Sequence, residues 1–143
     1  MIALLQAIDT AFAAPSNGAI AKPFPLGLQH DETISPSALP YIVRRVISAP
    51  TTTFYGEVTQ DSIVVRFSIF GQDEYKTGAL MEAFDAAWRG VLLTLLSGQN
   101  FGCIRMHAPI PLVRNDLAPP DNARNARMRI FSWTVTYLYS VQN

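Results

Sequence analysis

The sequence predicts an α+β domain, a mostly antiparallel sheet of about four strands packed against one long helix and an N-terminal helix. Three observations predict it. Two segments, Tyr41 to Ser48 and Ser62 to Phe70, place residue types alternately on two faces, the signature of strands. After Asp73 the apolar period lengthens to about 3.6, the signature of a helix. A run of aromatic and β-branched residues then closes the chain in strand alternation. The chain has 143 residues, enough to bury a core without disulfides or a metal, and it reads as one domain over residues 1–143.

Each element has its own signal. Ile2, Leu5, Ile8 and Phe12 recur at spacings of three and four and predict a short helix up to Ala13, stopped by Pro15 and Ser16-Asn17-Gly18. Residues 15–40 hold Pro15, Pro23, Pro25, Pro36 and Pro40 with Gly18 and Gly27, so a long Pro-rich loop is expected, free of regular helix, with room for a short extended piece between Ile20 and Leu28. In the first strand Tyr41, Val43, Arg45 and Ile47 share one face, and Ile42, Arg44 and Val46 share the other. In the second, Ile63, Val65, Phe67 and Ile69 form an apolar face, opposite the mixed face of Val64, Arg66, Ser68 and Phe70. One covered face and one partly covered face suit a sheet with its helices on one side.

Asp73 is the expected N-cap of the long helix, with Glu74 in its first turn. Tyr75, Met81, Phe84, Trp88, Val91, Leu92, Leu95 and Leu96 carry the helical period as far as Gly98. Gly78 and Gly90 inside it are candidates for close backbone approach to the sheet or to a neighbouring subunit. Phe101 to His107 predicts a third strand, extended by Ile110 to Val113. Asn115 to Asn125 predicts an exposed loop, and Ala126 to Val141 a long last strand.

Composition narrows the function classes. Hydrophobic residues make up 49% of the chain and charged residues only 15%, below the roughly 25% typical of a soluble domain, which favours an obligate assembly that covers apolar surface. Eleven basic residues balance 11 acidic ones, unlike the strongly basic domain of a free-standing nucleic-acid binder. Most of the bases are Arg, gathered at Arg44-Arg45 and between Arg114 and Arg129, where they serve either as ordinary surface charge or as interface groups. The apolar start, Met1 to Ala14, lacks a basic leader and is interrupted by Asp9. No apolar run approaches the roughly 20 residues of a membrane span, so a soluble, intracellular protein without membrane contact is expected.

The search for chemistry finds no catalytic or metal site, and no cofactor is expected. Cys103 is the single cysteine and reads as a buried small hydrophobe. Cys103 and His107 on one extended strand would lie about 13 Å apart, too far for a nucleophile and its base. His30-Asp31-Glu32 supplies too few ligands for a metal. No nucleophile elbow and no glycine-rich phosphate loop occurs. Phe84, Trp88, Phe131, Trp133 and Tyr137 fit core packing of the helix on the last strand better than a stacking platform for bases.

The order of segments carries a resemblance. The apolar helix Ile2 to Phe12 is followed by Lys22-Pro23-Phe24-Pro25-Leu26 and by Leu39-Pro40-Tyr41-Ile42-Val43. Then come Val64-Val65-Arg66-Phe67-Ser68-Ile69-Phe70-Gly71, a helix opened by Glu74-Tyr75 and an aromatic closing strand. This pattern resembles the tail-terminator, or tail-completion, family of long-tailed bacteriophages. The resemblance implies a homo-oligomeric ring, typically a hexamer, that ends the tail tube and joins it to the head-side connector of the virion. DNA would pass through its lumen without sequence-specific binding. It implies no enzymatic activity, and assembly in the host cytoplasm. Arg44, Arg45, Arg127 and Arg129 are then candidates for inter-subunit contacts or a DNA-facing lumen. Phe24, Leu26 and His30 are candidates for a loop that contacts the tail tube protein or the connector protein. A neck or head-completion subunit is the neighbouring reading, and a non-viral α+β domain binding a small molecule or nucleic acid is the reading from other classes.

Overall fold

The computed structural model describes residues 2–30, 39–48, 51–54, 57–89, 93–94, 100–112 and 130–142. In chain order these form helix α1 (Ile2–Ala13), a 3-10 turn (Pro15–Asn17), the one-turn helix α2 (Gly18–Ala21), and strands β1 (Leu28–Gln29), β2 (Tyr41–Ser48), β3 (Thr51–Phe54) and β4 (Glu57–Gly71). Helix α3 (Glu74–Trp88) follows, then β5 (Leu93–Thr94), β6 (Asn100–Arg105), β7 (Ile110–Leu112) and β8 (Phe131–Gln142). The main sheet runs β1-β2-β4-β8-β6-β5, with β3 added to β4 and β7 added to β8. Every described pairing is antiparallel except that of β1 with β2, so the sheet is mixed. The α+β class stands, with more strands than the four long ones the alternation reveals. β1 and β5 have two residues each, too short to show a period.

The described helices share one face of the sheet. Ile63, Val65, Phe67 and Ile69 of β4 form one buried cluster with Ile42, Val135, Tyr137 and Tyr139, the faces that the alternation assigns. Leu4, Ile8 and Phe12 of α1 and Met81, Phe84 and Trp88 of α3 close the cluster from above. Aromatic rings set its geometry: Phe67 meets Phe84 at 5.1 Å between centroids, and Phe84 stacks on Trp88 at 5.6 Å. On the opposite face a smaller cluster gathers Tyr41, Val43 and Phe70, with Tyr41 stacked on Phe70 at 4.7 Å. Among the described residues no helix covers that opposite face.

Several expectations need correction. The Pro-rich segment does contain helix, because Pro15 sits at the start of the 3-10 turn, where its missing N–H does no harm, and Gly18–Ala21 then completes one α-turn. That turn buries Ile20, and Phe24 follows it into the core against Phe12. Helix α3 starts as expected, with the Asp73 side chain accepting from the Lys76 N–H at 2.9 Å, but it stops at Trp88 instead of reaching Gly98. The apolar run after Gly90 suits a buried strand as well as a helix, and Leu93-Thr94 pair with Phe101 and Asn100 in the sheet. Tyr75 is 85% exposed, since it lies off the stripe formed by Thr77, Gly78, Met81, Phe84, Asp85 and Trp88. Gly78 does permit close approach: a Cβ there would sit 2.8 Å from the Trp133 ring of β8.

Candidate interaction surfaces and a buried polar cluster

The site residues named from sequence fall into four environments. Arg44 lies on the helix face of β2 and is engaged within the chain. Its Nε donates to Asp9 Oδ1 at 2.8 Å and its Nη2 to Oδ2 at 3.0 Å, which ties α1 to the sheet. The side chain is only 10% exposed, so Arg44 is an internal clamp and leaves the interface candidates. His30 approaches the same carboxylate, with Nε2 3.3 Å from Asp9 Oδ2, so its exposed ring flanks the clamp. Partial burial disfavours the Asp9 charge, but the hydrogen bond and charge of Arg44, with His30 beside it, outweigh it and hold the carboxyl below the usual carboxylate range.

Phe24 is 4% exposed and belongs to the core, so it cannot serve as a partner-contact side chain. Leu26, 43% exposed, remains at the surface beside Gly27, whose φ of 71° suits glycine. Arg45 is exposed on the helix-free face, directly across from Arg66 of β4. Arg127 and Arg129 lie outside the described residues.

The same helix-free face carries a patch that the sequence reading did not single out. Paired residues of antiparallel strands share a face, so Ile104 stands beside Leu138 and Ile110 beside Thr134, all on this side. Ile104 is 61% exposed, Met106 56% and Ile110 45%. The alternation of Ile104 and Met106 was legible; the placement of β6 and β7 along β8, which joins them to Ile110, was not.

The second unforeseen feature is a polar cluster under the C-terminal end of α3. Asp85, 3% exposed, accepts from Tyr137 Oη at 2.6 Å and from Arg105 Nη1 at 2.5 Å, and Arg89 Nε lies 3.4 Å from its Oδ2. Trp88 Nε1 donates to Tyr139 Oη at 2.6 Å. The alternation of β8 aims both tyrosines inward, but only the fold brings Asp85 and Arg105 to them. Burial raises the Tyr137 phenol far above its ordinary value, and the hydrogen bond to Asp85 adds to it. Burial likewise raises Tyr139, and the neighbouring Cys103 adds to it.

Cys103 is exposed as a residue, against the expectation of a buried one, because β6 lies near the edge of the sheet. Its sulfur nevertheless sits beside Tyr139, and burial there pushes the thiol up to about 11, with the Tyr139 hydrogen bond acting the other way. A thiol of that kind is protonated at neutral pH and is a weak nucleophile. His107 turns to the other face, where Nε2 meets Thr136 Oγ1 at 2.8 Å and Nδ1 donates to the Ala108 carbonyl at 2.7 Å. Cys103 and His107 therefore do not form a pair. Among the described residues no group of three or more His, Cys, Asp or Glu could hold a metal, and no helix is long and apolar enough to cross a membrane. The cluster's internal pairings do structural work: every described charge in it has a partner inside the chain.

Compared with known proteins, the chain matches no family model, and no curated protein matches it.

Proposed function

We propose that the chain is a structural subunit of a closed homo-oligomeric ring that terminates the tail tube of a long-tailed phage particle and joins it to the head-side connector. The ring is hexameric in this reading, sits at the head–tail junction of the virion and lets DNA pass through its lumen. Its working parts are surfaces, and it performs no chemistry. The observation that supports the reading is that the segments carrying the resemblance fold into one contiguous unit. Leu39-Pro40 leads into β2 at Tyr41, Val64 to Phe70 forms the part of β4 that pairs with it, Glu74-Tyr75 opens α3, and the aromatic strand β8 lies beside β4 beneath that helix. A ring needs two different complementary patches on each subunit, and the exposed apolar face around Ile104 is a candidate for one of them.

The test is an arrest assay. Tail tube protein is allowed to polymerise with and without the purified chain, and tube lengths are measured by electron microscopy. The proposal expects tubes that stop growing, with added density at one end only. Tubes that lengthen unchanged, with no chain bound to their ends, would contradict it. Binding to the connector with no effect on tubes would move the chain to the neck.

A further inference from the structure

The start of β4 stands apart from the main sheet. β4 runs from Glu57 to Gly71, and its pairing with β8 begins only at Ser62. Before that point Glu57 to Asp61 pair with Thr51 to Phe54 of β3, and among the described residues with nothing else. The two strands form an arm about 16 Å long outside the main sheet. A two-stranded ribbon is marginally stable by itself in water, and a third strand stabilises it. The arm's sequence suits that role: residues 51–61 hold four threonines and Val58 and no proline, so the backbone favours extended pairing and no N–H is missing. We propose that the β3–β4 arm of one copy pairs, strand to strand, with the bare edge of β6 in the next copy, as a repeating contact of the ring; the inference rests on the ring reading given above.

The edge of β6 supplies the complementary backbone. β5 pairs only with Asn100 and Phe101. The Met106 N–H donates to the Thr136 carbonyl of β8, so the alternation of an antiparallel ladder turns the N–H and C=O groups of Cys103 and Arg105 outward, past the end of β5. Cys103, Ile104 and Met106 are exposed, so water reaches this edge, and such an edge is a template for another strand. Two observations select the arm of another copy as that strand. The bare stretch from Gly102 to Met106 is as long as the arm's stretch from Glu57 to Asp61. Within one chain β8 stands between β4 and β6, so the arm cannot pair with its own β6. Charge does not oppose the contact: the arm carries Glu57 and Asp61, and residues 100–112 contain no acid. Arg105 is already held by Asp85, so main-chain hydrogen bonds carry the affinity. Arm and edge are different surfaces, so the contact is heterologous, and it closes into a ring only if the rotation from one copy to the next divides a full turn.

The experiment compares the full chain free in solution and assembled on tail tubes. Hydrogen exchange of the unmodified chain is expected to slow at least about tenfold over residues 57–61 and 102–106 on assembly, because both segments gain main-chain hydrogen bonds. Cross-linking identifies the partner. In a Cys103→Ser background, Ile104→Cys is combined with Gln60→Cys or with Asp61→Cys, two neighbours that sample both faces of the strand, and a short bismaleimide is added. One of the two double variants is expected to give a ladder of covalent oligomers ending at the ring size, and an equimolar mixture of its single variants to give dimers only. Assembled rings that give no ladder and leave both segments exchanging as in the free chain would overturn this contact while leaving the ring reading intact. An unmodified chain that stays monomeric both free and with tail tubes would overturn the ring and the contact together.

Discussion

Arg44 and Asp9 join the first helix to the second strand through two parallel N–H···O bonds, and each makes a different demand on the fold. Arg44 is nearly buried, so removing its partner leaves a cation without a counter-charge; Asp9 is 35% exposed, so water screens part of that loss. Asp9→Asn should therefore cost about 1–3 kcal/mol in chemical denaturation at neutral pH. Because the folded pKa of Asp9 is depressed, its stabilisation is present above the unfolded value near 4 and is lost as pH falls through the folded one. The difference between wild type and Asp9→Asn should shrink on that acid limb. At the polar cluster, Tyr137→Phe leaves Asp85 with one donor fewer and should cost about 1–3 kcal/mol by the same assay. Alkylation of Cys103 at pH 8 should run at least about tenfold slower than that of a free thiol, accelerating as pH approaches 11. A rate equal to that of a free thiol would show that Tyr139 and its surroundings do not shield the sulfur.

Helix α3 shows how much of an element its sequence can carry. Its start was legible, because Asp73 has the short acceptor that an N-cap needs and Met81, Phe84 and Trp88 mark a buried stripe. Its end was not, because the apolar run beyond Gly90 satisfies strand and helix alike, and pairing with β6 decides between them for Leu93-Thr94. β2, β4 and β8 were legible for a related reason: a strand with one buried face must alternate, and the alternation names the face. The arginine candidates divide differently. Sequence placed Arg44 and Arg45 on opposite faces, but only the fold shows that α1 brings Asp9 to one of them. Two substitutions test the packing of α3. Trp88→Ala removes a buried ring and the donor to Tyr139, and should destabilise by about 3–5 kcal/mol. Gly78→Ala gains helix propensity of about 1 kcal/mol but drives a methyl group into Trp133, and should destabilise by about 1–3 kcal/mol in thermal or urea unfolding. A stabilised Gly78→Ala variant would mean that Trp133 yields without cost.

At the scale of the whole molecule, a balanced charge and a charged fraction of 15% accompany a sheet whose described helices all lie on one side. The opposite side combines a small aromatic cluster, exposed Ile104, Met106 and Ile110, and two arginines side by side. A molecule built this way is suited to act through surfaces, as the proposed ring requires. The most direct measurement of that claim is cryo-electron microscopy of tail tubes incubated with the chain, supported by native mass spectrometry of the released particles. The account predicts a closed ring of one copy number, with cyclic symmetry, seated at a single end of each tube. Tubes with bare ends beside a chain that remains monomeric would contradict it.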